Sequence, residues 1–168
     1  MRHKTFFILN STFLVFLFVS CSHKPVFDEE RLFDRDVWNR FTPEQFEINV
    51  DNIENYYNID FTVSIDTGRY RYDAVPLMVI LTSPGGEERQ FYSTVALSEN
   101  GRPRGEMQPS RDGNRACRVV TGRIRSYFSF NHKGTHRVAV SQATSQYDLE
   151  GIHAVRLTVT QAKLEELH

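Results

Sequence analysis

Two histidines at metal-ligand spacing are the first feature of this sequence that would support chemistry. His132 and His136 lie four residues apart, but Gly134 between them indicates a hairpin turn rather than a helix that would align both rings. The sequence also contains no glycine-rich phosphate loop, no Gly-x-Ser-x-Gly nucleophile motif and no Cys-x-x-Cys pair. We therefore expect neither a metal site nor a cofactor.

A group of acid-base residues lies shortly before the C-terminus. Asp148, Glu150 and His153 are close in sequence, but local sequence marks no serine or cysteine nucleophile beside them. Polar clusters of this kind commonly close turns. We expect a protein without enzymatic activity.

One cysteine occupies the position of a lipid attachment site. Arg2 and Lys4 precede an almost entirely apolar run at residues 6–19, which is the layout of a secretory signal peptide. The run is too short for a transmembrane helix, which needs about 20 apolar residues. Residues 17–21, Leu-Phe-Val-Ser-Cys, resemble a bacterial lipobox, in which the cysteine is acylated and becomes the first mature residue. The alternative is that Cys21 only ends a cleaved signal peptide.

An acylated Cys21 predicts a protein of the cell envelope that is held to a membrane by lipid, and we expect the outer membrane. Both leaflets of the membrane remain alternatives for the attachment. Cys117 would then be an unpaired thiol in an exported chain. We expect it to be buried in a strand, and the alternative is an intermolecular disulfide.

Polar and apolar residues alternate with a period of two over most of the chain from residue 46 onward. The alternation at Tyr57–Asp66 is unbroken, and a helix with 3.6 residues per turn could not use it to form one apolar face. Ser83-Pro84-Gly85-Gly86 predicts a tight turn between two strands. The eight predicted strands are Phe46–Val50, Tyr57–Asp66, Pro76–Thr82, Gln90–Leu97, Ala116–Thr121, Ile124–Phe130, His136–Gln142 and Ala154–Gln161. This pattern predicts an all-β fold, an antiparallel two-sheet β-sandwich of the jelly-roll kind.

The chain divides into four predicted parts. Residues 1–20 are the lipoprotein signal peptide, 21–37 a lipidated tether, 38–162 the sandwich and 163–168 a C-terminal tail. The tether begins polar and is rich in acidic residues before it reaches the single tryptophan, Trp38. The longest predicted irregular segment is 98–115, and loops of that length are usually functional or mobile.

Three aromatic residues are candidates for a ligand platform. Tyr70 and Tyr72 alternate with arginines in Gly-Arg-Tyr-Arg-Tyr-Asp, and Trp38 lies close to the tether. Exposed rings at these positions would stack on a sugar or a peptide. The alternative is that Trp38 anchors the core and that the tyrosines pack over the sandwich edge.

Charge is unevenly distributed, although the formal net charge is only -1. Residues 28–60 contain ten Asp or Glu and three Arg, whereas residues 102–125 contain seven Arg and two acidic residues. The candidate partner-binding residues are Arg102, Arg104, Arg111, Arg115 and Arg118. They would either meet an anionic partner or pair with the acidic N-terminal segment across the sandwich.

Several stretches of the chain together resemble one known family. They are residues 17–21, the Trp38 segment, Tyr57-Asn58-Ile59-Asp60-Phe61, Gly68-Arg69-Tyr70-Arg71-Tyr72 and Ser141-Gln142 to Tyr147-Asp148-Leu149-Glu150-Gly151-Ile152. In combination they are similar to the GldH gliding-motility lipoproteins of Bacteroidota. The resemblance implies an envelope lipoprotein linked to the gliding and type IX secretion apparatus, and it implies no catalytic residue.

The predicted function is a membrane-anchored envelope lipoprotein that acts as a non-enzymatic scaffold or partner-binding component. Its expected partners are the membrane, through the N-terminal lipid, and envelope proteins. The alternative is a glycan-binding sandwich on the cell envelope. The near-neutral charge argues against a nucleic-acid partner, which requires a strongly basic surface.

Overall fold

The computed structural model describes residues 24–110 and 113–163. Strands make up most of these residues, and the other regular element among them is a short 3-10 turn at Asp34–Asp36. The predicted signal peptide, Cys21 and Arg111 lie outside the described residues.

The described residues contain thirteen strands, of which nine build the two main sheets, eight long strands of six or more residues and the short β9. The strands are β1 Phe27–Leu32, β2 Val37–Asn39, β3 Glu44–Val50, β4 Tyr57–Ile65, β5 Ala74–Thr82, β6 Glu88–Ala96, β7 Ser98–Glu99, β8 Arg102–Pro103, β9 Glu106–Pro109, β10 Ala116–Phe128, β11 Gly134–Gln142, β12 Asp148–Glu150 and β13 Ile152–Gln161.

Two antiparallel sheets face each other across one core. The first has the strand order β1-β13-β4-β10-β9, and the second has the order β3-β11-β5-β6. Among the eight long strands the first pairs with the eighth, the second with the seventh, the third with the sixth and the fourth with the fifth. The chain is therefore doubled back on itself and wrapped into two sheets, which is jelly-roll topology. The predicted all-β jelly-roll sandwich is confirmed.

Alternation along the strands sorts the side chains between the core and the surface. On β4, Ile59, Phe61 and Val63 are buried in the core, while the intervening Asp60, Thr62 and Ser64 lie on the outer face. The same rule holds in β5, where every second residue of the apolar run is fully buried. Burial of one face of each sheet is the main stabilising contribution to the sandwich.

The predicted tether at 21–37 is wrong at its C-terminal end, because the sandwich begins at β1. All six residues of this strand pair with β13, from Phe27 opposite Val159 to Leu32 opposite Ala154. Phe27 packs edge-on against Phe46, with ring centroids 6.2 Å apart. An edge strand needs only one packed face, so acidic residues can occupy the other face. The sequence of β1 therefore resembles that of a solvated linker.

Two further predicted boundaries change. The strands predicted at Ala116–Thr121 and Ile124–Phe130 form one strand, β10, whose pairing with β4 shifts register twice after Arg123. These bulges bend the strand without ending it. The segment 98–115, predicted as irregular, contains the β7–β8 hairpin and β9, which pairs with β10 at the edge of the first sheet.

The sandwich has two ends of different character. The short connections 51–56, 83–87 and 129–133 lie at one end, together with residues 24–26 and 162–163, and we call this the terminal end. The longer connections 33–43, 66–73, 97–105 and 143–151 lie at the opposite end with residues 113–115, and we call this the loop end. Of the candidate partner-binding arginines, the four that the structure describes lie at the loop end or border it, namely Arg102, Arg104, Arg115 and Arg118.

Candidate functional site

The candidate arginines have different environments. Arg102 is exposed on β8, and Arg104 is half-buried, with Nη1 donating to the Ala96 carbonyl at 3.4 Å. Arg118 is half-buried on β10, opposite Ile65 and Met107. No ion pair of Arg102, Arg104 or Arg118 is found within residues 24–110 and 113–163. Arg102 and Arg104 are therefore available for an anionic partner.

Arg115 instead takes part in an ion pair inside the molecule. Its guanidinium donates to the carboxylate of Asp36, and the same group lies 3.7 Å from Asp66 Oδ2. Asp36 belongs to the acidic N-terminal segment, and it is buried. For Arg115, the alternative of pairing with that segment is confirmed.

Asp36 is the centre of a wider polar network. Arg69 Nη1 lies 3.3 Å from Asp36 Oδ2, and His153 Nδ1 lies 2.9 Å from Asp36 Oδ1. The Asp36 carbonyl accepts a hydrogen bond from Gly151 N at 2.8 Å. Arg69 also reaches Glu150, at 3.5 Å. A buried carboxylate is tolerated only when its charge is compensated and its oxygens are hydrogen-bonded, and both conditions are met here.

The network joins three of the long connections of the loop end to residues 113–115 and to the start of β13. Asp36 comes from the first connection, Arg69 from the second, Arg115 from the β9–β10 connection and Glu150 from the last, while His153 lies at the start of β13. Gly151 has φ +85°, and a Cβ there would lie 2.6 Å from Tyr70 N, so the close approach of two connections requires glycine. Hydrogen-bonded polar networks rigidify the elements that they join, although His153 Nε2 has no partner among the described residues. The connection 97–105 is joined separately, by a hydrogen bond from Leu97 N to the Asp73 carbonyl at 2.8 Å. The segments of the loop end are thus tied to one another by hydrogen bonds.

The aromatic platform predicted from Tyr70, Tyr72 and Trp38 is wrong. Trp38 is fully buried between Phe33 and Phe61, and Tyr70 is buried with its hydroxyl donating to the Ala74 carbonyl at 2.8 Å. Burial raises the pKa of the Tyr70 hydroxyl, and the neighbouring Tyr72 adds to this. Tyr72 alone of the three is exposed. Because Trp38 and Tyr70 are buried in the core, their rings are not open to a ligand.

A different aromatic pair is exposed at the loop end. Phe41 and Tyr147 are 70% and 68% exposed, and their ring centroids lie 5.6 Å apart. The pair is held by the β2–β12 pairing and by a hydrogen bond from Arg40 N to the Tyr147 carbonyl at 2.8 Å. Sequence reasoning missed it, because the two residues are more than one hundred positions apart and no local pattern links them.

An open polar groove of about 690 Å³ runs across the outer face of the first sheet. Arg156 reaches Asp28 and Glu30 at 3.4 Å each, and the Thr62 and Thr121 hydroxyls are 2.8 Å apart. The other lining residues include Leu32, Asp60, Ser64, Gln108, Ser110, His153 and Thr158. Small hydroxyl side chains at the outward positions of β4, in place of lysine or glutamate, were the sequence signal for this groove.

The chain is similar to one known family of proteins. A family model described as GldH lipoprotein matches residues 25–159, from just before β1 into the last strand. The chain belongs to the GldH lipoprotein family. The resemblance inferred from the sequence is thereby confirmed, and the chain is classed with gliding-motility-related lipoproteins of the cell envelope. A search of the curated proteins finds no match.

The acid-base residues of this GldH family member do not converge on one point. Asp148 accepts a hydrogen bond from Asn39, Glu150 lies beside Arg69, and His153 lies beside Asp36. His136 is buried, and its Nε2 contacts the His132 carbonyl at 2.8 Å rather than the His132 ring. Among the residues described, no three His, Cys, Asp or Glu side chains are grouped as metal ligands.

Cys117 of the GldH family member lies inside the first sheet, as expected for a free thiol in a strand. It is a free, buried cysteine on β10 opposite Gln108. Burial raises the pKa of its thiol, while a hydrogen bond with Ser64 and the charge of Arg115 partly oppose that increase. A buried thiol held protonated is a poor nucleophile. Over the described part of the chain, no helix is both long and apolar enough to cross a membrane.

Proposed function

We propose that this GldH family member is an outer-membrane lipoprotein, anchored through acylated Cys21, that binds an envelope protein through its loop end without catalysing a reaction. One observation carries the proposal. The chain enters the sandwich from Cys21 at the terminal end, and the long connections that the Asp36 network holds together lie at the opposite end. The loop end therefore faces away from the anchor.

The chemistry of the loop end favours an acidic protein surface as the partner. Arg102 and Arg104 supply positive charge, and the exposed Phe41 and Tyr147 rings supply apolar area beside polar groups. Arginine and aromatic residues are the types enriched where protein interfaces carry most of their binding energy. A rigid surface also loses little conformational entropy on binding.

The anchor is tested by metabolic labelling with an alkyne palmitate analogue. The wild-type protein is expected to incorporate the label and to sediment with membranes. Cys21→Ala is expected to lose the label, and Cys117→Ala is the matched control that keeps it. Equal labelling of wild type and Cys21→Ala would contradict lipid attachment at this residue.

The loop end is tested by charge reversal in the full-length protein. Arg102→Glu combined with Arg104→Glu is expected to reduce recovery of crosslinked envelope partners, and recovery of the wild-type complex should fall as salt rises, because exposed charges are screened within about 8 Å at physiological ionic strength. The control is Arg89→Glu with Arg137→Glu, which reverses two exposed arginines away from the loop end. Equal losses in both double variants would contradict a specific surface.

A second candidate function rests on the groove rather than on the loop end. Arg156, its two carboxylate partners and the threonine hydroxyls offer a row of fixed hydrogen-bonding groups, which suits a hydroxyl-rich oligosaccharide. Screening residues 22–168 on a glycan array tests it. Thr121→Arg, which fills the groove, should abolish binding, whereas Thr94→Arg on the outer face of the second sheet should not. Absence of any saccharide ligand, or equal binding by both variants, would rule the groove out as a glycan site.

A further inference from the structure

The terminal end carries a group of exposed apolar side chains that the fold does not use. Val26, Ile53 and Tyr56 are 47%, 37% and 50% exposed. Val26 N donates to the Val159 carbonyl, and Ala162 N donates to the Tyr56 carbonyl, each at 2.8 Å. Val26 and Tyr56 thus flank the end of β13 on its two sides. Since neighbouring strands are about 4.8 Å apart, their backbones lie about 10 Å from each other.

Ile53 is kept exposed by the hydrogen bonds of its own loop. The Asn52 side-chain oxygen accepts a hydrogen bond from Glu54 N at 2.9 Å, and the Asn52 carbonyl accepts one from the Tyr57 hydroxyl at 2.6 Å. An Asx turn of this kind fixes the backbone around the residue that it encloses. Exposure of Ile53 is therefore a property of an ordered turn.

The length of chain that precedes the structure limits what can face these side chains. Five peptide units join Cys21 to Val26, and even a fully extended chain of that length spans at most about 18 Å. This step rests on the proposed function, since it assumes an acyl chain on Cys21 that is buried in a membrane. The terminal end is then always close to the lipid surface.

We propose that the terminal end is a membrane-contact surface, in which Val26, Ile53 and Tyr56 enter the headgroup region of the bilayer that holds the Cys21 lipid. Both kinds of side chain are suited to this boundary. Aliphatic side chains bury their apolar surface there, and tyrosine places its ring among the lipids while its hydroxyl stays in contact with water. Exposed Asp51 and Glu54 lie close to Ile53 in the chain, and exposed Lys24, Lys133 and Lys163 lie at the same end. Charges of both signs therefore surround the apolar group, and the proposed contact is made by the apolar side chains. The lipid anchor supplies the high local concentration that so small an apolar group requires.

The experiment uses the acylated full-length protein in phosphatidylcholine vesicles with an environment-sensitive fluorophore on a single introduced cysteine. Buried Cys117 does not compete for the label in the folded protein. The test variants are Ile53→Cys and Tyr56→Cys, and the matched control is Tyr147→Cys, an exposed aromatic position at the loop end. Brominated lipids in the same vesicles act as contact quenchers.

Blue-shifted emission that is lost in brominated lipid is expected at positions 53 and 56, and solvent-like emission is expected at position 147. The result should persist in high salt and should not require anionic lipid. Solvent-like emission at positions 53 and 56 in protein that carries the acyl label would overturn the membrane contact while leaving the anchor intact. Absence of the acyl label would overturn the anchor itself, and the membrane contact with it.

Discussion

Asp36 shows how one residue determines the properties of its surroundings. It lies in the left-handed region, with φ +57°, on a short turn between β1 and β2. From this position the carboxylate receives two arginines from two other connections and a histidine from β13. A buried charge that loses a partner is left uncompensated, so these partners contribute to stability and not only to the surface.

At the residue scale, we predict that Arg115→Met lowers the free energy of unfolding by about 1.5–3 kcal/mol, the range for a hydrogen bond to a charged group. Arg102→Met should change it by less than about 0.5 kcal/mol, as surface substitutions usually do. Urea denaturation of residues 22–168 measures both. An unchanged midpoint for Arg115→Met would show that the Arg115–Asp36 ion pair contributes nothing to the stability of the fold.

Strand β1 decides where the folded part of the chain begins. Its stability comes from backbone pairing with β13, from the Phe27–Phe46 contact and from Arg31 lying 4.9 Å above the Phe46 ring. Phe33 N donates to the His153 carbonyl at 3.0 Å. Since antiparallel donors alternate, the N–H groups of Arg31 and Glu29 also point toward β13, whereas that of Glu30 points away.

At the element scale, two proline substitutions distinguish the effect of losing a backbone hydrogen bond of β1 from the effect of losing a glutamate side chain. Glu29→Pro removes a hydrogen bond of the ladder and leaves a carbonyl of β13 without its donor, so it should destabilise the sandwich by about 1–3 kcal/mol. Glu30→Pro leaves the ladder intact on the open edge and should cost clearly less, because prolines are accepted at such edge positions. Both changes remove one glutamate. Equal urea midpoints for the two variants would mean that β1 does not pair with β13 as described.

The two sheets share one core, and the single tryptophan lies within it. Trp38 belongs to β2, outside both main sheets, yet it stacks with Phe61 of β4 at 6.2 Å and with Phe33 at 5.3 Å. The loop end is therefore joined to the core by packing as well as by the Asp36 network. One cooperative unit follows from this arrangement.

At the scale of the whole molecule, we predict that the loop end and the sheets unfold together. Thermal or urea transitions followed by Trp38 fluorescence should coincide with those followed by far-ultraviolet circular dichroism. The fluorescence reports the packing near the loop end, and the dichroism reports the strands. A fluorescence transition that precedes the loss of strand signal would show that the loop end opens independently, and a rigid partner-binding surface would then be untenable.

The sequence by itself determined the period-two strands, the jelly-roll class, the family and the candidate lipid site at Cys21, because each depends on local patterns or short motifs. Tertiary structure decided which arginines are available, since Asp36 and Arg115 are 79 residues apart and meet only when the connections converge. It also decided that Trp38 and Tyr70 are buried, that β1 is a strand, and that Thr62 and Thr121 line a common groove. These outcomes depend on strand order and register, which bring distant segments together and which no local pattern encodes.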